Sequence, residues 1–114
     1  MPHIILEYSA DVGDHVEIPD LLHAMHDALA DAGIDKARIK TRGASVPYAV
    51  VGDTQHNGHM MHATLLLLEG RDVATKQSYG DPIYAAMKAA VSTALPTCAV
   101  TLEIRDMSKD TYYL

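Results

Sequence analysis

Two kinds of residue in this chain are placed to do chemistry: a proline at position 2 and a set of cations further along. The chain opens MPHIILEYS. A small second residue lets methionine aminopeptidase remove Met1, which leaves Pro2 with a free secondary amine, a group able to act as a base. The apolar run Ile4-Ile5-Leu6 follows at once, so that amine would be pinned to a sheet where chain ends otherwise fray. Among the cations, Arg38, Lys40 and Arg42 stand at alternate positions, roughly 6.6 Å apart on one face of an extended chain. They read as a carboxylate cradle or as charges that guard a sheet edge against pairing, and spacing alone favours the edge. Arg71 follows an apolar run, at a turn into a helix, where open α/β sheets present binding residues.

Other reactive residue types offer less. His56, His59 and His62 recur at intervals of three, but an interval of three along a strand sends His59 and His62 to opposite faces. With no acidic or thiol partner near them in sequence, no metal site is expected. His23 and His26, one helical turn apart, fit a partly exposed helix face. Cys98 is the single cysteine, so it forms no internal disulfide; it reads as a buried strand residue in a reducing compartment. No serine or cysteine nucleophile motif and no phosphate-binding glycine loop occurs.

At 114 residues the chain suits one domain spanning 1–114, able to bury roughly two thirds of the surface that its unfolded form exposes. Apolar residues make up 48% and charged residues 21%, which describes a globular protein and not a disordered one. A net charge of −6 opposes binding to nucleic acid, whose affinity comes from lysines and arginines on phosphates. No apolar stretch reaches membrane-spanning length and no signal-peptide pattern opens the chain, so a cytoplasmic location is expected.

The elements that must hold these residues follow from periodicity. Residues 2–8 alternate as a strand, and Ile18, Leu21, Leu22, Met25, Leu29 and Ala32 line one helical face that stops at Gly33. Residues 37–42 alternate again and close a β-α-β unit. The pattern then repeats: a strand at 60–68, a helical stripe within 73–95 and a strand at 98–105. This predicts an α/β (α+β) fold, with duplicated β-α-β units forming a four-stranded mixed sheet and two helices on one face. Gly80-Asp81-Pro82 inside the second helix predicts a kink or short break. Residues 43–58 are turn-rich, with room for a short hairpin, and the tail from Ser108 should leave the domain body.

Taken together, MPHIILEYS, the IPDLL helix start, LADAGI, IKTR, the HATL strand and EGR resemble the 5-carboxymethyl-2-hydroxymuconate isomerase family of the tautomerase superfamily, over residues 1 to about 106. The resemblance implies a cofactor-independent, metal-free isomerase of aromatic catabolism, in homoprotocatechuate degradation. It implies that Pro2 is the general base and that Lys40, Arg42 and Arg71 bind the carboxylates of a small substrate. It further implies a homotrimer. Lys40 stands where the family leads one to expect arginine, which keeps the charge but loses the planar two-pronged grip on a carboxylate. The shortened tail and Gly80-Asp81-Pro82 also depart from the pattern. Two alternatives stay open: a decarboxylase or dehalogenase using the same proline, and a non-catalytic oligomeric binding protein with this fold.

Overall fold

A computed structural model describes residues 1–54 and 58–114. The chain runs through β1 (His3–Ser9), α1 (Ile18–Asp31), β2 (Lys40–Val46), β3 (Met60–Leu68), α2 (Val73–Val91) and β4 (Ala99–Met107), with short 3₁₀ turns at Ala10–Asp14 and Lys36–Arg38. The sheet order is β2-β1-β3-β4. β1 and β3 pair antiparallel at the centre, while on the outside β2 lies parallel to β1 and β4 parallel to β3. Each outer pair is one β-α-β unit, as its crossover helix requires.

Alternation assigns the two sheet faces. Ile4 and Leu6 of β1 and Met61, Ala63, Leu65 and Leu67 of β3 are buried in one core with Leu21, Met25 and Leu29 of α1 and Ile83 and Met87 of α2. The residues between them, His3, Ile5 and Glu7 on β1 and Thr64 and Leu66 on β3, point to the face without helices. By register, Lys40 and Arg42 share that open face, opposite His3 and Ile5. Leu65 has no exposed surface, so Leu65→Ala is expected to lower unfolding free energy by about 2–5 kcal/mol in urea titration.

Several expectations need correction. The second strand begins at Lys40, not at residue 37, because Lys36–Arg38 winds into a turn in which the Asp35 carboxylate accepts from the Ala37 N–H at 3.1 Å. Arg38 therefore leaves the strand face that it seemed to share with Lys40 and Arg42. β2 also runs on through Gly43 to Val46, into the stretch read as turns, and His56 lies outside the described residues.

The second helix passes through Gly80-Asp81-Pro82 without a break. Gly80 is buried, and a Cβ there would stand 2.8 Å from Ile104 Cδ1, so the glycine serves close packing on β4. Ile83 and Met87, both fully buried, anchor the turns that follow Pro82, and tertiary packing overrides local propensity. Finally, the tail turns back onto the sheet: the Lys109 N–H donates to the Glu69 carboxylate at 2.7 Å, and Tyr112 reaches His3. Among the described residues no helix is long and apolar enough to cross a membrane.

Candidate active site

The start of β1 lies between two crossover ends, the turn after α1 and the loop before α2. Pro2 is fully buried, and its carbonyl accepts from the Lys40 N–H at 3.1 Å, which fixes it to the parallel strand. The Met1 amine donates to the Arg38 carbonyl at 3.4 Å, and Lys40 Nζ donates to the same oxygen at 3.5 Å. One carbonyl thus gathers the chain's amine and a lysine. Burial, then the Lys40 ammonium, then the Arg38 guanidinium hold the Met1 amine below the ordinary α-amine range.

Met1 lines a cavity of about 400 Å³ together with Asp35, Arg38, Arg71 and Tyr79. Arg71 is aimed by its own chain: Nη1 donates to the Leu68 carbonyl at 3.1 Å, and the guanidinium carbon stands 5.9 Å from the Tyr79 ring centroid, within cation–π reach. Arg38 faces Asp35 at 3.7 Å in an exposed pair, which constrains it weakly. A pocket with two guanidiniums, an aromatic wall and an amine of depressed basicity suits an anionic, unsaturated small molecule.

Lys40 and Arg42 stand differently. Lys40 borders a second cleft of about 570 Å³ between α1 and β2 and acts on the amine by its charge. Arg42 lies on the open sheet face, where Nη1 donates to His3 Nδ1 at 3.2 Å. The structure brings Pro2, Lys40 and Arg71 around the N-terminus and places Arg42 further out, hydrogen-bonded to His3. Arg38 enters the pocket from its turn and not by strand alternation. Sequence reasoning misses Tyr79 and His3, although His3, next to Pro2 and paired with Lys40, is within reach of register.

The other reactive residues have local partners. His26 Nδ1 meets Thr41 Oγ1 and His62 Nδ1 meets Thr101 Oγ1, both at 2.7 Å. His59 Nδ1 lies 2.8 Å from Asp11 Oδ2, at the end of β1 remote from Pro2. That acidic partner comes from far along the chain, where sequence neighbours gave none. Among the described residues no group of three or more metal-ligating side chains converges. Cys98 is buried and free, in the turn just ahead of β4 and not within the strand; burial first and then the Asp11 charge push its thiol upward, away from the reactive thiolate.

Duplicated β-α-β halves in a four-stranded mixed sheet define a tautomerase-like fold, and a basic pocket lined by Met1 lies just ahead of β1. The sequence pattern of the 5-carboxymethyl-2-hydroxymuconate isomerase family matches residues 2–113, and the chain belongs to that family. It is 27% identical over 110 residues to the 5-carboxymethyl-2-hydroxymuconate Delta-isomerase of Escherichia coli, across 94% of this chain and 87% of that protein. Its fold is similar to a 5-carboxymethyl-2-hydroxymuconate isomerase from Deinococcus radiodurans R1, with a TM-score of 0.86 at 21% identity over 99% of this chain and 87% of the other. A fused 4-OT asymmetric trimer shares the fold at a TM-score of 0.72 and 12% identity, over 98% and 91% of the two chains.

Proposed function

We propose that this isomerase converts a 2-hydroxymuconate-type dienol polycarboxylate, 5-carboxymethyl-2-hydroxymuconate before others, into its conjugated ketone, with Pro2 as the base after removal of Met1. The observation that carries the reading is the position of Met1, which lines the basic cavity while Pro2 lies buried behind it. Loss of Met1 would leave the Pro2 nitrogen at the cavity wall, under the influence of Lys40 and Arg38. Burial and cations both disfavour its charged form, which leaves free amine at neutral pH. The amine takes the proton of the 2-hydroxyl, the electron pair moves through the diene, and a carbon further along is protonated from the resulting ammonium. Arg71 and its neighbouring cations hold the carboxylates and stabilise the dienolate charge as it spreads. The base and the cations are supplied by the chain itself. The test is an ultraviolet assay of trimmed protein, of verified intact mass, on 5-carboxymethyl-2-hydroxymuconate: dienol absorbance should fall as conjugated-ketone absorbance rises. No acceleration over buffer would remove the reading.

The same proposal includes a homotrimer. Helices cover one sheet face only, while Ile5, Leu66 and Leu68 on the other are half-buried within the single chain. An uncovered sheet face with apolar residues calls for a partner surface. Three copies turning these faces inward would cover them, and the similar fused 4-OT protein is a trimer. Light scattering at micromolar concentration is expected to give three times the 12.4 kDa chain mass, and a monomer would contradict it.

A further inference from the structure

Arg42 poses a problem for the proposed site. It is exposed on the open sheet face, outside the cavity that Met1 and Arg71 line, and a long flexible cation in that position contributes little to binding unless something holds it. Two side chains do so in sequence. Arg42 Nη1 donates to His3 Nδ1 at 3.2 Å, and a guanidinium has no acceptor, so Nδ1 must carry the lone pair. In a neutral imidazole the proton then sits on Nε2, which donates to Tyr112 Oη at 2.7 Å. The Tyr112 ring also meets the imidazole edge to face, at 5.9 Å between centroids and 76° between planes. The tail thus fixes the histidine and the histidine fixes the arginine.

Resting on the isomerase reading above, we propose that His3 is a positioning residue of this site: in its Nε2–H form, steadied by Tyr112, it aims the Arg42 guanidinium at a substrate carboxylate beside the Pro2 amine. The relay depends on charge. An imidazolium carries protons on both nitrogens, so it could no longer accept from Arg42 and would repel it.

The surroundings keep His3 neutral. Within one chain it faces Lys40 and Arg42 from β2 and Leu66, which does not titrate, from β3; the chain's amine lies close by, and Tyr112 stands at its Nε2. Arg105, one strand further on, is paired with Glu103. Burial first, then the amine, Arg42 and Lys40 hold the imidazole below its ordinary range. The folded value is thus depressed. The aligned form is complete above the ordinary imidazole value of about 6.5 and is lost as pH falls through the lower folded value.

Two measurements on the trimmed protein test this without turnover. Nitrogen-15 NMR at neutral pH should show His3 with an unprotonated Nδ1 and a protonated Nε2. Calorimetric titration with fumarate, an unreactive dicarboxylate that stays ionised over this range, should give binding that weakens from pH about 7.5 to about 5.5 by less than the roughly tenfold that an unshifted imidazole would cause. In His3→Asn, whose side-chain carbonyl can accept from Arg42 but does not titrate, most of that acid weakening should vanish. An Nδ1–H tautomer, or an identical acid dependence in His3→Asn and the parent protein, overturns the proposal. Because neither readout needs catalysis, failure of Pro2 as base leaves both results standing. Failure of the relay, conversely, leaves enol conversion intact.

Discussion

Protein that keeps Met1 is expected to convert dienol to ketone about 10²–10⁴-fold more slowly than trimmed protein, the span attributed to one positioned general base. Acylation makes the Pro2 nitrogen an amide with no useful basicity, and Met1 also occupies the wall of the cavity into which that nitrogen would otherwise open. Expression with a methionine aminopeptidase inhibitor gives the capped form, and matching circular dichroism would exclude misfolding as the cause. Pro2→Ala keeps a terminal amine, now primary and less rigidly held, so an intermediate loss of about tenfold is expected. The pH profile supplies a second reading. A base with a depressed folded pKa is active above that value and protonated below it. The acid limb of kcat/KM should therefore have its midpoint below the ordinary α-amine value of about 8. Lys40→Gln removes a charge that lowers the amine's basicity range and should move the midpoint upward. Equal turnover by the capped and trimmed proteins would eliminate the N-terminal base.

How much of the fold is legible in the sequence depends on how local the determining physics is. β1 and β3 follow from alternation, since Ile4, Leu6, Leu65 and Leu67 alternate with residues of the other face and all four are buried. α1 follows from Leu21, Met25 and Leu29 at fourfold spacing. The start of β2 did not follow. Ala37, Arg38, Ile39 and Lys40 alternate whether extended or wound, and the Asp35 carboxylate together with buried Ile39 selects the turn for the first of them. Gly80 and Pro82 carry a strong local signal for a break, and it loses to Ile83, Met87 and the close approach of Ile104, contacts between elements far apart in sequence. The site divides the same way. Pro2 and Arg71 stand just ahead of β1 and α2, where position alone marks them. The groups that contact the cations, Tyr79 beside Arg71 and His3 with Tyr112 beside Arg42, depend on helix phase, sheet register and the path of the tail.

Arg71→Ala should weaken kcat/KM for a dicarboxylate dienol by about 2–4 kcal/mol, roughly 30- to 1,000-fold, with little change in unfolding free energy. The magnitude follows from what the side chain does not hold up. Arg71 is half-buried at the loop before α2, and among the described residues its one hydrogen bond goes to the Leu68 carbonyl, while the helix itself is capped by Asp72, whose carboxylate accepts from the Thr75 N–H at 2.8 Å. Removing the guanidinium leaves that cap in place, so the fold should survive. The pocket loses more. Arg38, the other guanidinium of the cavity, is exposed and already faces Asp35, so it cannot compensate fully for a lost carboxylate partner. Arg71→Lys separates charge from shape: the ammonium remains, but the planar fork and its fit against the Tyr79 ring are lost, and an intermediate effect is expected. Tyr79→Leu should then act in the same direction as Arg71→Lys and add little to it, because both remove one stacked pair. If Arg71→Ala leaves kcat/KM within twofold of the parent while intact mass verifies a free Pro2, the carboxylate-binding role of Arg71 fails and the cations on β2 must carry the substrate alone.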